Sequence, residues 1–503
     1  MARTCAEVVA RVALVAATVA VTLGGCAVGP DYVRPPADVP AQYAEAGPWK
    51  EGEPQETIAR GDWWTIFSDP ELDALQAKAT KQNPDVKAVA ARVLQAQATA
   101  GISRSYLYPS LAGGVIAQRY ANNTNFATLV DPATVTENTT LITNAYKAVP
   151  IYTAYEIDFW GRVRRQSESA QAELGASIAT YHTAMLTLNG DVAQTYFQIR
   201  MNDELYRILS EDIELHRSTF NLINARQLDG LSNDLAVAET QTALKTSQAQ
   251  AEAVKAQRAT LVNKLAILTG TNPEGFAVEK QQQRGERPIP PVPVGLPSDL
   301  LQRRPDIARA EREMAAANAQ IGVAIAAYFP SIVLTSSIGF ESYALSTLTN
   351  PTSNIWGIAF SLFQQIFNAG RISLNVERTR AAYEERVALY QAALLRGFQD
   401  VETALANLRL LSEQARYQQA AVASANRTAL LMAQRFQHGL VSMLDVLIAQ
   451  RAALASQTVA VQIANEQLVT TVALVKALGG GWQDRPQQLP EGVRSMWAPP
   501  LKQ

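Results

Sequence analysis

The chain has 503 residues and a net charge of −2, with 44 Lys+Arg against 46 Asp+Glu. Charged residues are 18% and aromatics 7%, against ~25% charged residues in an ordinary soluble domain, so a large core can form and wholesale disorder is excluded. The near-neutral balance excludes a general nucleic-acid binder, and the only cysteines, Cys5 and Cys26, exclude a disulfide framework or a cysteine nucleophile in the folded body.

Residues 1–25 read as a secretory signal peptide: Arg3 and Arg11, an apolar run from Val12 to Leu23, then small residues. The run is too short to span as a helix. Leu23-Gly24-Gly25-Cys26 resembles the lipobox of bacterial lipoproteins, a resemblance that implies Cys26 as the acylated mature N-terminus; the alternative is a plain signal peptide with an incidental cysteine. An unpaired thiol in an oxidising compartment agrees with acylation. Residues 26–69 form a lipidated leader, rich in proline at Pro30, Pro35, Pro36 and Pro40, and the start of the body. The stretch after Leu23 holds no run of 18 apolar residues, yet a secreted chain can still enter a membrane as β-strands.

The chain is written twice. Asn83-Pro84-Asp85 recurs as Arg304-Pro305-Asp306, and Tyr108-Pro109-Ser110 as Phe329-Pro330-Ser331, both 221 residues later. Gly161-Arg162, Asp191-Val192 and Gly230-Leu231 recur as Gly370-Arg371, Asp400-Val401 and Gly439-Leu440, each 209 residues later. Chance matches would not be collinear, so the halves 70–275 and 297–480 are a tandem duplication joined by the Pro-rich linker 276–296. A tail, 481–503, follows.

Each half repeats one grammar. Pro84 or Pro305 opens a helix of about 23 residues at its first position. A β-hairpin follows, within 107–160 or 328–367, whose strands alternate in polarity and carry aromatics. Next come helices over 162–228 and 371–437, free of proline and rich in Ala, Gln, Glu, Arg and Leu. Tips at Gly230 and Gly439 turn the chain into returning helices of about 40 residues, and apolar positions such as Leu205, Ile208 and Leu209 repeat as in a coiled coil. The expected class is therefore an α+β membrane protein: long antiparallel helices plus four transmembrane strands per chain. Four strands cannot close a barrel, since the smallest have about eight, and open edges in lipid are forbidden. Such a chain must oligomerise, and three copies give a twelve-stranded barrel.

This plan resembles the outer-membrane efflux factors of the TolC type, in the lipoprotein (NodT-like) branch serving resistance-nodulation-division (RND) multidrug pumps. The resemblance runs from Cys26-Ala27-Val28-Gly29-Pro30-Asp31-Tyr32 to Gly480-Gly481-Trp482. Its motifs are Asp62-Trp63-Trp64, Arg303-Arg304-Pro305-Asp306-Ile307, Ala327-Tyr328-Phe329-Pro330-Ser331 and the stretch from Arg435 to Leu447. It implies a homotrimer in the cell outer membrane, with a helical tunnel in the periplasm and a lipid on Cys26. The implied partners are a periplasmic adaptor (a membrane fusion protein), an inner-membrane RND pump and outer-membrane lipid, and the implied role is a passive exit duct for drugs.

The resemblance also carries site residues. Asp445 matches the first of two acidic aperture positions, while Ile448 replaces the second and Val441 replaces a basic residue, leaving one Asp445 ring flanked by Leu444 and Ile448. Three carboxylates about one axis would repel when ionised and suit cations; the alternative is that Asp445 only caps or solvates the returning helix. Adaptor docking falls on the tips, at Arg226, Gly230, Leu231 and Ser232, and at Arg435, Gly439, Leu440 and Ser442. No cofactor, metal site or enzyme is expected: Gly-rich phosphate loops, a nucleophile elbow and a His-Glu-x-x-His motif are missing, and His182, His216 and His438 are scattered. The rival readings are a duct for type I protein secretion and a periplasmic coiled-coil structural lipoprotein. The Trp63-Trp64 pair reads as core.

Overall fold

The computed structural model describes residues 27–36, 40, 43–45, 62–123, 140–280, 289, 290, 292 and 303–480. The signal peptide, Cys26, most of the linker and the tail lie outside the described residues.

Among the described residues the elements follow the doubled grammar. The first half holds α1 (Pro70–Gln82), α2 (Pro84–Ser105), β1 (Ser110–Asn123), β2 (Thr140–Glu156), α3 (Arg162–Leu228) and α4 (Asp234–Leu268). The second holds α5 (Pro305–Ala326), β3 (Ser331–Ser342), β4 (Asn354–Phe363), α6 (Arg371–Gln437) and α7 (Met443–Ala477). α3 and α6 are both 67 residues, roughly 100 Å at ~1.5 Å per residue. The returning helices α4 and α7 are 35 residues each, shorter than expected because Gly270 and Gly479 end them with left-handed φ of 67° and 88°. α1 starts cleanly: Pro70 occupies its first position and the Asp69 carboxylate accepts from the Glu71 and Leu72 amides. The strands differ between halves, 14 and 17 residues against 12 and 10, which is where the spacing changes from 221 to 209.

The chain divides into two compact units. The first comprises residues 1–34, 95–174 and 312–388 and contains the sheet. Its strands pair antiparallel in the order β1-β2-β3-β4, so the two expected hairpins form one sheet. The register of both β1–β2 and β2–β3 slips beside Val149-Pro150. Pro150 has no amide to donate, and the resulting bulge is accommodated by glycine: a Cβ on Gly113 would lie 2.7 Å from the Pro150 carbonyl, and one on Gly339 would collide with that of Ala148. The leader is no free tether at its start. The Val28 amide donates to the Trp160 carbonyl at 3.0 Å, Asn318 Nδ2 donates to the Pro30 carbonyl at 3.0 Å, and Arg165 pairs with Asp31 at 2.6 Å. Gly29, at φ 96°, packs directly on Gly322, where a Cβ would come within 2.5 Å of the Gly322 Cα.

The second unit comprises residues 35–94, 175–311 and 389–503. Trp63 and Trp64 are buried in it, as expected, and Phe67 packs edge-on to Phe197 at 4.8 Å. Nearby, Arg200 pairs with Glu71 and Asp203, and Arg258 donates to Asp203 at 2.6 Å. The duplication is visible in matching joints. Asn83 Nδ2 donates to the carbonyl of Leu268, the last residue of α4, at 2.9 Å. The Arg304 guanidinium, one repeat on, donates to the carbonyl of Ala477, the last residue of α7, at 3.2 Å. Gly270 and Gly479 repeat the match, since a Cβ would meet the Gln82 carbonyl in one and the Arg303 carbonyl in the other.

Candidate functional site: the two-faced sheet and the helical tips

A pleated sheet sends alternate side chains to opposite faces. On β4, Trp356, Ile358, Phe360 and Leu362 share one face and are all exposed, Trp356 at 77%. Their cross-strand partners on β3 are Ile338, Ser336, Leu334 and Ile332, and the same face continues to Ile151 on β2 and Val115 on β1. Each large apolar side chain left in water forfeits ~1.5–3 kcal/mol relative to burial, so this face requires an apolar solvent. The opposite face is mixed, with Thr335, Ser337, Gly357 and Ser361 beside Val333, Tyr152 and Phe363. There Lys147 and Glu341 stand directly opposite in register and pair at 3.3 Å. One lipid-type face and one aqueous-type face is the pattern of a transmembrane barrel wall.

The tips lie in the second unit, and the structure brings both together. Each long helix ends in the same motif. The Gly230 amide donates to the Gln227 carbonyl at 2.9 Å and the Leu231 amide to that of Arg226 at 2.7 Å; Gly439 and Leu440 repeat this on Phe436 and Arg435, both at 3.0 Å. Gly230 and Gly439 have φ of 71° and 72°, which explains the glycines. A small core of Ile223, Met443, Val446 and Leu447, with Phe436 and Val237 packed against it, binds the two tips. The Arg226 guanidinium lies 5.7 Å from the Phe436 ring centre, so it also works within the chain. Arg435 is exposed, Ser232 half-buried, and Leu231 and Leu440 project as exposed apolar side chains.

Ser442 and Asp445 form a reciprocal cap at the start of α7. The Asp445 amide donates to Ser442 Oγ at 3.3 Å, while Asp445 Oδ2 accepts from the Ser442 amide at 2.9 Å and its hydroxyl at 2.6 Å. The hydroxyl first, then the amide, hold the carboxyl below its ordinary pKa. The Ser-x-x-Asp spacing is the sequence signal for this box. Leu444, Asp445 and Ile448 are exposed on α7, whereas Met443, Val446 and Leu447 beside them are buried. Capping and presentation on a free helix face thus coexist in Asp445. The sheet pair Lys147–Glu341 and the Arg226–Phe436 contact were not readable from sequence, since both join residues distant along the chain. Cys26 lies outside the described residues.

An amphipathic antiparallel sheet on a chain with long tip-bearing helical hairpins is the architecture of a membrane channel protein. The chain belongs to the outer membrane efflux protein family, whose model matches residues 75–271 and 296–480. It is similar to the pyoverdine export outer membrane protein OpmQ of Pseudomonas aeruginosa, with 34% identity over 440 residues, 85% of this chain and 89% of that protein. It is similar also to the cation efflux system protein CusC of Escherichia coli, with 30% identity over 470 residues, covering 92% and 98% of the two chains. Among solved structures it matches the Campylobacter jejuni CmeC outer membrane channel with a TM-score of 0.84 and 25% identity, covering 94% of this chain and 98% of that one. The protein is an outer-membrane efflux channel.

Proposed function

We propose that three copies close a twelve-stranded barrel and act as the passive exit duct of a tripartite pump, with a periplasmic adaptor and an inner-membrane RND pump. The observation that carries this reading is the four-stranded sheet with one apolar face, a second face holding the Lys147–Glu341 pair, and two edge strands. Four strands cannot close alone, and unpaired edges in lipid cost several kcal/mol per group. The same face distinguishes the channel from a coiled-coil lipoprotein, which has no use for exposed Trp356 and Phe360. In this reading Leu444, Asp445 and Ile448 turn toward the axis at the periplasmic end, and exposed Leu231 and Leu440 meet the adaptor. Cys26 carries the covalent lipid. The duct performs no reaction; the pump selects the compounds, small toxic molecules that the duct releases outside the cell. The test is deletion of the gene from its own host. Susceptibility to a panel of toxic small molecules should rise and return to normal on complementation. An unchanged panel, with secretion of a protein substrate lost instead, would favour the type I secretion duct.

A further inference from the structure

Charge is rare on the sheet, and its placement is uneven. Among the described strand residues the charged side chains are Arg119, Lys147, Glu156 and Glu341. Lys147 and Glu341 pair on the face opposite Trp356. Glu156, opposite Val333 in register, belongs to that same face and holds Arg162. Arg119 stands apart. It follows Val115 and Ala117 at alternate positions of β1 with no register slip between them, so it lies on the apolar face. It is exposed and has no hydrogen-bond or ion-pair partner among the described residues. The sheet end at Ser110, Glu156, Ser331 and Phe363 joins the helices, which places Arg119 toward the outer mouth. From Leu111 to Arg119 the strand climbs ~26 Å, roughly 20 Å of height at a tilt of 35–45°, close to the outer border of an apolar band ~25 Å tall. The face changes character at that level. Above Ile358 and Trp356 come Asn354 on β4 and then Tyr146 and Asn144 on β2, with Asn144 directly opposite Arg119.

Resting on the reading of this face as the lipid side, we propose that Arg119 binds a phosphate group of an outer-leaflet glycolipid, with exposed Asn144 beside it. A guanidinium turned toward lipid is costly unless an anion meets it. The outward face of the described strands offers no acidic side chain, so the anion comes from outside them. At headgroup depth that anion is phosphate, whose oxygens match the fork of an arginine bidentately. The Asn144 amide group supplies a neutral donor at the same level. Below it, Tyr146 and exposed Trp356 stand where the sugar gives way to acyl chains, the place aromatic rings occupy at a membrane border. Inner-leaflet phosphates lie at the helical end of the sheet, out of reach of this side chain.

Native mass spectrometry of the full chain in mild detergent tests the site, with bis-phosphorylated lipid A and its dephosphorylated form as the two probes. The wild type should hold the phosphorylated probe about fivefold more tightly than the dephosphorylated one. Arg119→Gln should bind the two alike. Arg119→Lys, which keeps the charge and loses the fork, should retain part of the preference. Equal binding of both probes by the wild type, or an undiminished preference in Arg119→Gln, overturns the site. An Arg119→Gln oligomer that falls apart while its chains keep the preference also overturns it, and assigns Arg119 to a contact between copies. A single-chain mass that shows the preference in the wild type and loses it in Arg119→Gln supports the lipid site and removes the three-copy reading.

Discussion

Replacing Arg304 by methionine keeps most of its length and removes its charge. The residue is 8% exposed and donates to both oxygens of Asp306 at 3.0 and 2.6 Å, to Asp400 at 2.9 Å and to the Ala477 carbonyl at 3.2 Å. Breaking a buried pair by removing one partner costs ~3–5 kcal/mol. The side chains of Asp306 and Asp400 retain 31% and 52% exposure, so water compensates part of the loss and about 3 kcal/mol is expected. That is about a hundredfold in an equilibrium constant. Asn83→Ala at the equivalent joint removes one neutral bond to Leu268 and the cap bond from the Val86 amide at 3.0 Å, for about 1–2 kcal/mol. A membrane-inserted channel unfolds irreversibly, so the assay is the rate of helix loss by circular dichroism at fixed temperature. Arg304→Met should unfold up to about a hundredfold faster and Asn83→Ala about tenfold. There is a pH signature as well. Burial works to raise the Asp306 carboxyl, but the Arg304 guanidinium overcomes it and leaves the pKa below its ordinary value. A depressed carboxyl contributes stability above its unfolded pKa that is lost as pH falls through the folded one. The wild type should therefore lose this contribution in acid below about pH 4, and Arg304→Met should lack that part of the acid dependence. An Arg304→Met protein no less stable than Asn83→Ala would refute the clamp.

Three further outcomes follow from the site. Leu444→Ala and Ile448→Ala should raise single-channel conductance in planar bilayers, and Asp445→Asn should weaken block by multivalent cations from the periplasmic side. Ser442→Ala, which weakens the cap by about 1 kcal/mol, should leave that block intact; wild-type conductance and block in all of them would take these residues out of the aperture. Leu231→Asp and Leu440→Asp at the tips should abolish capture of the cognate adaptor while leaving the oligomer intact, and unaltered capture would move the docking surface elsewhere. Mass spectrometry of the mature N-terminus should find diacylglycerol on Cys26, and an unmodified N-terminus at another residue would end the lipoprotein reading.

Much of this architecture was legible because the chain carries its own control. The collinear spacings of 221 and 209 located α2 against α5 and α3 against α6 to the residue. The long helices were readable because 162–228 and 371–437 contain no proline. Glycines at 230 and 439 announced the tips because glycine, unlike other residues, adopts positive φ at no steric cost. The merging of two hairpins was not legible, since the β2–β3 seam joins residues such as Tyr152 and Ser337 whose pairing no local pattern encodes. The ordering of Ala27 to Asp31 was hidden for a related reason: it depends on Gly161, Arg165 and Gly322, remote in sequence and adjacent in space. At the aperture the sequence offered two roles for Asp445, and the structure shows the capping bonds on a side chain that is still exposed.

The central claim is that four strands per chain close a barrel only in company. Native mass spectrometry of protein extracted from the outer membrane in mild detergent reads this directly. The account predicts one dominant species of three copies that persists until the sheet is denatured. A stable single-chain species carrying the folded sheet would contradict it.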